Sequence, residues 1–337
     1  MGIKKITTGV LTLILVVLVM LASLSGPQIQ TVELEPEPLP PLEVLFPQSG
    51  SADSKTTLLV LTGDDVVEMT MDRFLIGVVA AEMPVLFETE ALKAQAVCAR
   101  TNVLYNMHVR PKANHPHANV CTDHTCCMAF SRDERLRNRW SVEYIENINK
   151  IIGAIAETDG VYVAYDDEPI FAPFHSSSIQ KTETSGNVWT TDLPYLLSVD
   201  SPETADNVPN YISTVTVVRS VFIDKIIDEY PDAVLDGDEG AWISGIIHTE
   251  SGRVLELLIG GVPIKGTDLR SMFNLRSTAL SIEWAGGDVL FTTIGFGHGV
   301  GMSQYGANVM ASTGKDYSEI LSAYYTGVTL ISPDFYS

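Results

Sequence analysis

Residues 295 to 306 read Gly-Phe-Gly-His-Gly-Val-Gly-Met-Ser-Gln-Tyr-Gly, five glycines in twelve positions around one His, one Ser, one Gln and one Tyr. The interior of a regular helix or strand disfavours that composition, because each Gly there costs about 0.5–1 kcal/mol relative to Ala. Two architectures accommodate it. One is a plain connection beside a sheet edge. The other is a backbone that turns sharply or lies close to a ligand, with a few polar side chains aimed at it.

The chain has 337 residues, 45% of them apolar, enough for one large packed domain or two ordinary ones. Its formal charge of −21 argues against binding nucleic acid or an anionic membrane surface through bulk charge. Uncharged glycans face no such barrier. At the N-terminus Lys4 and Lys5 precede an uncharged run from Ile6 to Thr31. About 20 such apolar residues can cross a bilayer, and the flanking lysines orient the segment. We therefore expect a cytoplasmic tip at 1–5, a transmembrane signal-anchor at 6–26 and an extracytoplasmic remainder. A cleavable signal peptide is the rival, with Ala22-Ser-Leu-Ser25 as a poor cleavage site. Pro36, Pro38, Pro40, Pro41 and Pro47 make 27–57 an extended acidic linker, leaving 58–337 as the folded region.

Within it, 57–61 and 66–70 read as two strands around a turn. Helices are expected at 71–83, capped by Thr70 and stopped by Pro84, and at 89–107, with Leu92, Ala96, Ala99 and Val103 on one face. A third is expected at 144–157. Strands follow at 160–165, 212–218, 242–249, 254–259 and 279–283, so 209–285 reads as a β-rich subdomain. Helices at 304–312 and 317–325 close the chain. The class is α+β, a helical catalytic core with mixed and antiparallel sheets.

Glu82 sits near the end of an otherwise apolar helix. The helix dipole and apolar neighbours both disfavour its carboxylate, so its pKa should rise, as a general acid requires. The alternative is a side chain that simply reaches water. Arg100, on the following apolar helix, either pairs with a structural carboxylate or touches substrate. His175-Ser176-Ser177-Ser178, with Lys181 nearby, forms either a hydroxyl-rich sugar rim or a solvated turn. A serine-histidine hydrolase is disfavoured, because no Gly-x-Ser-x-Gly elbow occurs. His298, Gln304 and Tyr305 are the polar groups the glycine stretch would present. His115, His117, Cys121, His124, Cys126 and Cys127 fall within thirteen residues of a chain with four Cys and seven His. That density suits a closed, structural zinc site; a disulfide from Cys121 to Cys126 or Cys127 is the rival. Cys98, in the second helix, reads as a small buried residue.

Ala80-Ala-Glu-Met-Pro84, Glu90-Ala-Leu-Lys-Ala-Gln-Ala-Val-Cys-Ala-Arg-Thr101, His175-Ser-Ser-Ser178 and the glycine stretch occur in this order. Together they resemble the stage II sporulation protein D family of peptidoglycan lytic transglycosylases, over roughly residues 58 to 337. The resemblance implies that Glu82 is the catalytic acid, and it makes Arg100, His175, Ser176, Ser177, Ser178, Lys181, His298, Gln304 and Tyr305 candidate glycan contacts. It also implies zinc ligation by His115, Cys121, Cys126 and Cys127. Cys126 departs from the family pattern, which more often has His there, and His117 and His124 stay open as alternates. The implied partners are peptidoglycan glycan strands, an amidase that removes stem peptides and a membrane protein that recruits both. A non-catalytic glycan-binding or scaffolding module is the second reading. A zinc hydrolase fits worst, because a closed Cys-rich set leaves no open metal position.

Overall fold

The computed structural model describes residues 50–332, so the predicted signal-anchor at 6–26 and most of the linker lie outside the described residues. Among the described residues no helix is long and apolar enough to cross a membrane. Ordered structure begins before residue 57: a single helical turn, α1 (Ala52–Lys55), is capped by Ser51 and buries Asp53. It leads into the antiparallel hairpin of β1 (Thr57–Thr62) and β2 (Asp65–Thr70), with Gly63 at φ +64° in the turn. Next comes α2 (Met71–Glu82). Thr70 occupies its N-cap position without making a capping bond to the backbone; its hydroxyl donates to Asp72 instead. Pro84, two residues past the last helical position, stops the helix as expected.

The organising element is α3 (Thr89–His108), whose Ala91, Ala94, Ala96 and Ala99 are buried along with Leu92, Val97 and Val103. Burial all round marks a central helix, and its alanines let neighbours approach closely. It packs against α2, against α5 (Tyr144–Ala156) and, later, against the two C-terminal helices. Before α5 come the two-residue strand β3 (Val120–Cys121), parallel to β1, and α4 (Asp133–Trp140), a helix the sequence pattern did not suggest. After α5 come β4 (Tyr162–Tyr165), β5 (Glu168–Pro169) and β6 (Phe174–His175), then the turn α6 (Ser185–Val188).

A second buried cluster begins at Val217 and ends at Phe291. It contains β7 (Ile212–Val217), α7 (Arg219–Glu229), β8 (Ile243–His248), β9 (Val254–Ile259), β10 (Val262–Lys265), α8 (Gly266–Met272), β11 (Leu280–Ala285) and β12 (Asp288–Ile294). Two three-stranded antiparallel sheets, β10-β9-β8 and β11-β12-β7, enclose it. The expected β-rich subdomain is thus present, but it runs on to Ile294 and includes two helices. The buried i, i+4 pair Phe222 and Ile226 is the helical signal inside the supposed strand region.

From β12 the chain enters the glycine stretch, where Gly295, Gly297, Gly299 and Gly301 all take positive φ, +74°, +117°, +85° and +70°. A Cβ on Gly301 would lie 2.1 Å from the Pro173 carbonyl, and one on Gly297 would lie 2.6 Å from the His175 Cβ. Glycine is therefore required twice over, for conformation and for close approach. The stretch feeds β13 (Met302–Ser303), parallel to β6, and then α9 (Gln304–Ser312), α10 (Tyr317–Tyr324) and β14 (Thr329–Ile331).

Candidate active site

A groove of about 440 Å³ opens where the end of α2, the Cys-rich segment, β6 and the glycine stretch meet. Glu82, His175, Ser176, His298 and Gln304 line it, so residues more than two hundred positions apart share one site. Trp189 packs against His298 at a tilt of 53°, with ring centroids 5.2 Å apart.

The local packing that holds Glu82 starts from Gly77, one helical turn and a half before it. The Phe130 ring lies where a Gly77 side chain would be, its nearest atom 2.2 Å from an ideal Cβ, and the Ser131 N–H donates to the Gly77 carbonyl at 3.0 Å. Segment 129–131 is thereby laid along α2, and the Ala129 N–H donates to Glu82 Oε1 at 2.7 Å. Burial pushes the Glu82 pKa above its ordinary value; the Ala129 hydrogen bond, the nearby His124 and the Gln304 side chain oppose that rise without cancelling it. The expectation of a raised pKa is met. Its main physical cause is desolvation.

The two histidines are neutral. Burial, followed by the charge of Arg270, pushes His298 down to about 4. Burial, then His298 and Arg253, hold His175 well below the imidazole range. His298 Nδ1 accepts the Val300 N–H at 3.1 Å, which puts the His298 proton on Nε2. His175 Nδ1 donates to the Val300 carbonyl at 3.2 Å, leaving Nε2 as a buried acceptor with no partner among the described residues. These rings offer directed hydrogen bonds rather than charge.

Several predicted contacts lie elsewhere, and each has a structural reason. Arg100 is buried away from the groove, its guanidinium bidentate on Asp53 with Nη2 2.5 Å from Oδ2, and it also donates to the Val161 carbonyl. The carboxylate partner comes from the turn before residue 57, inside the segment read as linker. Ser177 and Ser178 are buried as scaffold. Ser177 bridges to Phe296 through the backbone, and Ser178 donates its N–H to Glu203 and accepts from Arg253 at 2.8 Å. Lys181 is exposed and outside the groove; its carbonyl accepts from Arg253 at 3.0 Å. Tyr305 packs edge-on against Phe87, ring centroids 4.9 Å apart.

Other groups at the groove carried no sequence signal: Asn102, Asn106, Lys112, Phe171, Arg270 and Phe296. Nor did the buried acids behind it. Glu203 gathers Ser178, Ser201 and Ser303, and Glu183 accepts from Thr249 and Ser251 at 2.6 Å each, tying the serine segment to the β-rich region. Only α2 offered a helical pattern that exposes one acid at its end. The others are scattered polar residues that tertiary contact alone assembles.

Beside the groove, donor atoms of His115, Cys121, Cys126 and Cys127 all lie within 4.8 Å of one another. His115 Nδ1 donates to the Ala118 carbonyl at 3.1 Å, turning Nε2 toward Cys127 Sγ 3.3 Å away. A fixed tautomer with its free nitrogen aimed into a sulfur cluster is what a metal-binding imidazole needs. A closed set of one nitrogen and three sulfurs suits tetrahedral zinc. His117 and His124 are exposed and outside the cluster. The four cysteines are free, and Cys98 is buried against Tyr325, Sγ to hydroxyl 3.3 Å.

Comparison with known proteins bears on the same segments. A family model described as "Stage II sporulation protein" matches residues 62–165, the span that carries Glu82 and the His/Cys cluster. The stage II sporulation protein D of Bacillus amyloliquefaciens is 38% identical over 270 residues, 80% of this chain and 76% of that protein. That of Bacillus subtilis (strain 168) is 36% identical over the same shares. The "Amidase enhancer" of Bacillus subtilis (strain 168) is 27% identical over 76% of this chain but only 40% of its own length. With relatives this similar over four-fifths of its length, and with the acid, cluster and glycine stretch assembled at one groove, the chain belongs to the stage II sporulation protein D family.

Proposed function

We propose that this protein is a lytic transglycosylase that cleaves the glycosidic bond between N-acetylmuramic acid and N-acetylglucosamine in peptidoglycan strands. The observation that carries the reading is that Glu82 is the only carboxylate among the described residues lining the groove, and it is held in the protonated-favouring state by burial. A conventional glycosidase needs two carboxyl groups, about 5–5.5 Å apart when retaining and 6.5–9.5 Å when inverting. A lytic reaction needs one. Glu82 donates its proton to the bridging oxygen as the bond from C1 to that oxygen breaks. The C6 hydroxyl of the muramoyl residue then bonds to the cationic C1, and its proton returns to the Glu82 carboxylate. No water enters, and the new end is 1,6-anhydromuramic acid.

Asn106 and Gln304 supply hydrogen-bonding groups suited to hydroxyls and acetamides beside the neutral His298 ring, and Phe171, Phe174 and Phe296 supply apolar faces for sugar rings. Zinc held by His115, Cys121, Cys126 and Cys127 would supply no reactive position; these side chains brace segment 121–131, which delivers the Ala129 N–H to Glu82. The substrate is the strand stripped of stem peptides, and the partners are the amidase that strips it and a membrane protein that recruits both. The enzyme acts on the extracytoplasmic side, tethered by residues 6–26, in the cell-wall remodelling of sporulation.

Mass spectrometry of peptide-free strands incubated with the protein, beside Glu82→Gln, tests the reaction. Anhydro-ended fragments from the native protein alone are expected. Reducing ends would mean hydrolysis, and intact strands that co-sediment with the protein would mean a binding module.

A further inference from the structure

The β-rich region contributes a cation to the groove. Arg270, on α8, lines it with Phe296 and His298. Its guanidinium is half-buried, its Nε donates to the Arg276 carbonyl at 3.3 Å, and among the described residues no carboxylate forms an ion pair with it. The two most buried arginines differ. Arg100 has Asp53, and Arg253 has Glu183 and Glu203 close enough to hold its charge. Partial burial of an unpaired guanidinium is unfavourable, and a chain with 42 Asp and Glu against 21 Lys and Arg has acids to spare for it. Lys112 lines the same groove, its Nζ 3.2 Å from the Cys126 carbonyl. Two cations therefore face a space whose own lining provides Glu82 as the one acid.

We propose that Arg270 is a specificity-determining residue that binds a carboxylate on the sugar strand, with Lys112 as the second cation. The assignment rests on the reading of the groove as a peptidoglycan site. There the carboxylate is the lactyl group of N-acetylmuramic acid. It is a free anion where no stem peptide is attached and a neutral amide where one is. A planar guanidinium matches a carboxylate through two parallel hydrogen bonds and gains far less from an amide. Arg270 thus distinguishes stripped from peptide-bearing units by charge.

The test uses peptide-free strands before and after their carboxylates are converted to methylamides, with native protein, Arg270→Gln and Arg270→Lys. Native protein is expected to bind the free-acid strand about tenfold or more tightly than the methylamide strand, a preference weakened by salt. Arg270→Gln should bind both strands alike, with Arg270→Lys in between. Indifference of the native protein to amidation overturns the assignment, as does an equal loss on both strands in Arg270→Gln. Should Arg270→Gln fail to fold, the native protein on the two strands decides. Measuring the binding in a Glu82→Gln background separates the two readings. Strand discrimination without anhydro ends from native protein would sink the lytic reaction and leave Arg270 in place, and anhydro ends without discrimination would do the reverse.

Discussion

The two halves of the molecule bury different chemistry. Around α3 the core mixes alanines and aliphatic side chains with Phe74, Tyr144, Tyr324 and Tyr325, and it encloses ionic and polar groups: Asp53 on Arg100, and Asn102 exchanging two hydrogen bonds with Ala172. The β-rich half is held by rings. Phe222, Phe273 and Phe291 cluster with centroids 5.1 to 6.4 Å apart, and Trp242 meets Trp284 edge-on at 5.4 Å. The first half carries the acid and the His/Cys cluster; the second lends Arg270. Fixed polar partners suit a half that must set the pKa of one group, whereas ring packing suits a platform that need only present a side chain.

Beyond the Arg270 series, this contrast is open to direct test. The largest effect is expected for Glu82→Gln, which should lower the cleavage rate by roughly 10³-fold or more while the protein stays folded. Cleavage by the native protein should fall as pH rises through the raised Glu82 value, because only the protonated acid can donate; a rate that rises there would refute the assignment. Next come two destabilising changes of different kind. Asp53→Ala should cost about 3–5 kcal/mol by leaving Arg100 buried and unpaired. Phe222→Ala should cost a similar 3–5 kcal/mol through lost ring packing. Thermal unfolding measures both, and only Phe222→Ala should diminish the near-ultraviolet dichroism of the stacked rings.

Metal removal should matter about as much. Elemental analysis is expected to find about one zinc per chain, and a metal present at a thousand times its dissociation constant contributes roughly 4 kcal/mol. Chelation, or His115→Ala, should lower the melting temperature and weaken the Ala129 contact to Glu82, so a purified protein with no metal and unchanged stability would discard the zinc reading. The smallest effect is a gain. The Glu82 pKa is raised in the folded state, so its contribution to stability is present below the unfolded value and lost as pH rises through the folded one. At neutral pH Glu82→Gln should therefore be more stable on the order of 1 kcal/mol, the usual trade of stability for function. Below the ordinary glutamate value of 4.5 the difference should vanish.

Local pattern made the helices legible. The bounds of α2, α3, α5 and α9 fall within about two residues of those read from apolar spacing and from Pro84, and Ser303 caps α9 by accepting the Gly306 N–H at 3.1 Å. Among the helices with no expectation, α4, α7 and α8 all start without a side-chain cap hydrogen bond. The site was half legible. Glu82, His175, Ser176, His298 and Gln304 reach one groove as expected. Arg100 does not, because its partner Asp53 lies forty-seven positions earlier in what composition marks as linker. Ser178 looked like a rim residue because hydroxyls suit sugars equally well as they suit a buried carboxylate such as Glu203.

The elements and their chemistry can be read along the chain: an apolar helix ending in one acid, six potential metal ligands within thirteen residues, and glycines at the positive-φ positions of the 295–301 stretch. These are properties of neighbours along the chain, set by periodicity, ligand type and backbone sterics. Tertiary structure alone decided which polar groups face the groove and which hold the scaffold. That choice depends on contacts between segments far apart in sequence, where burial and the nearest opposite charge, rather than residue type, fix what each side chain does.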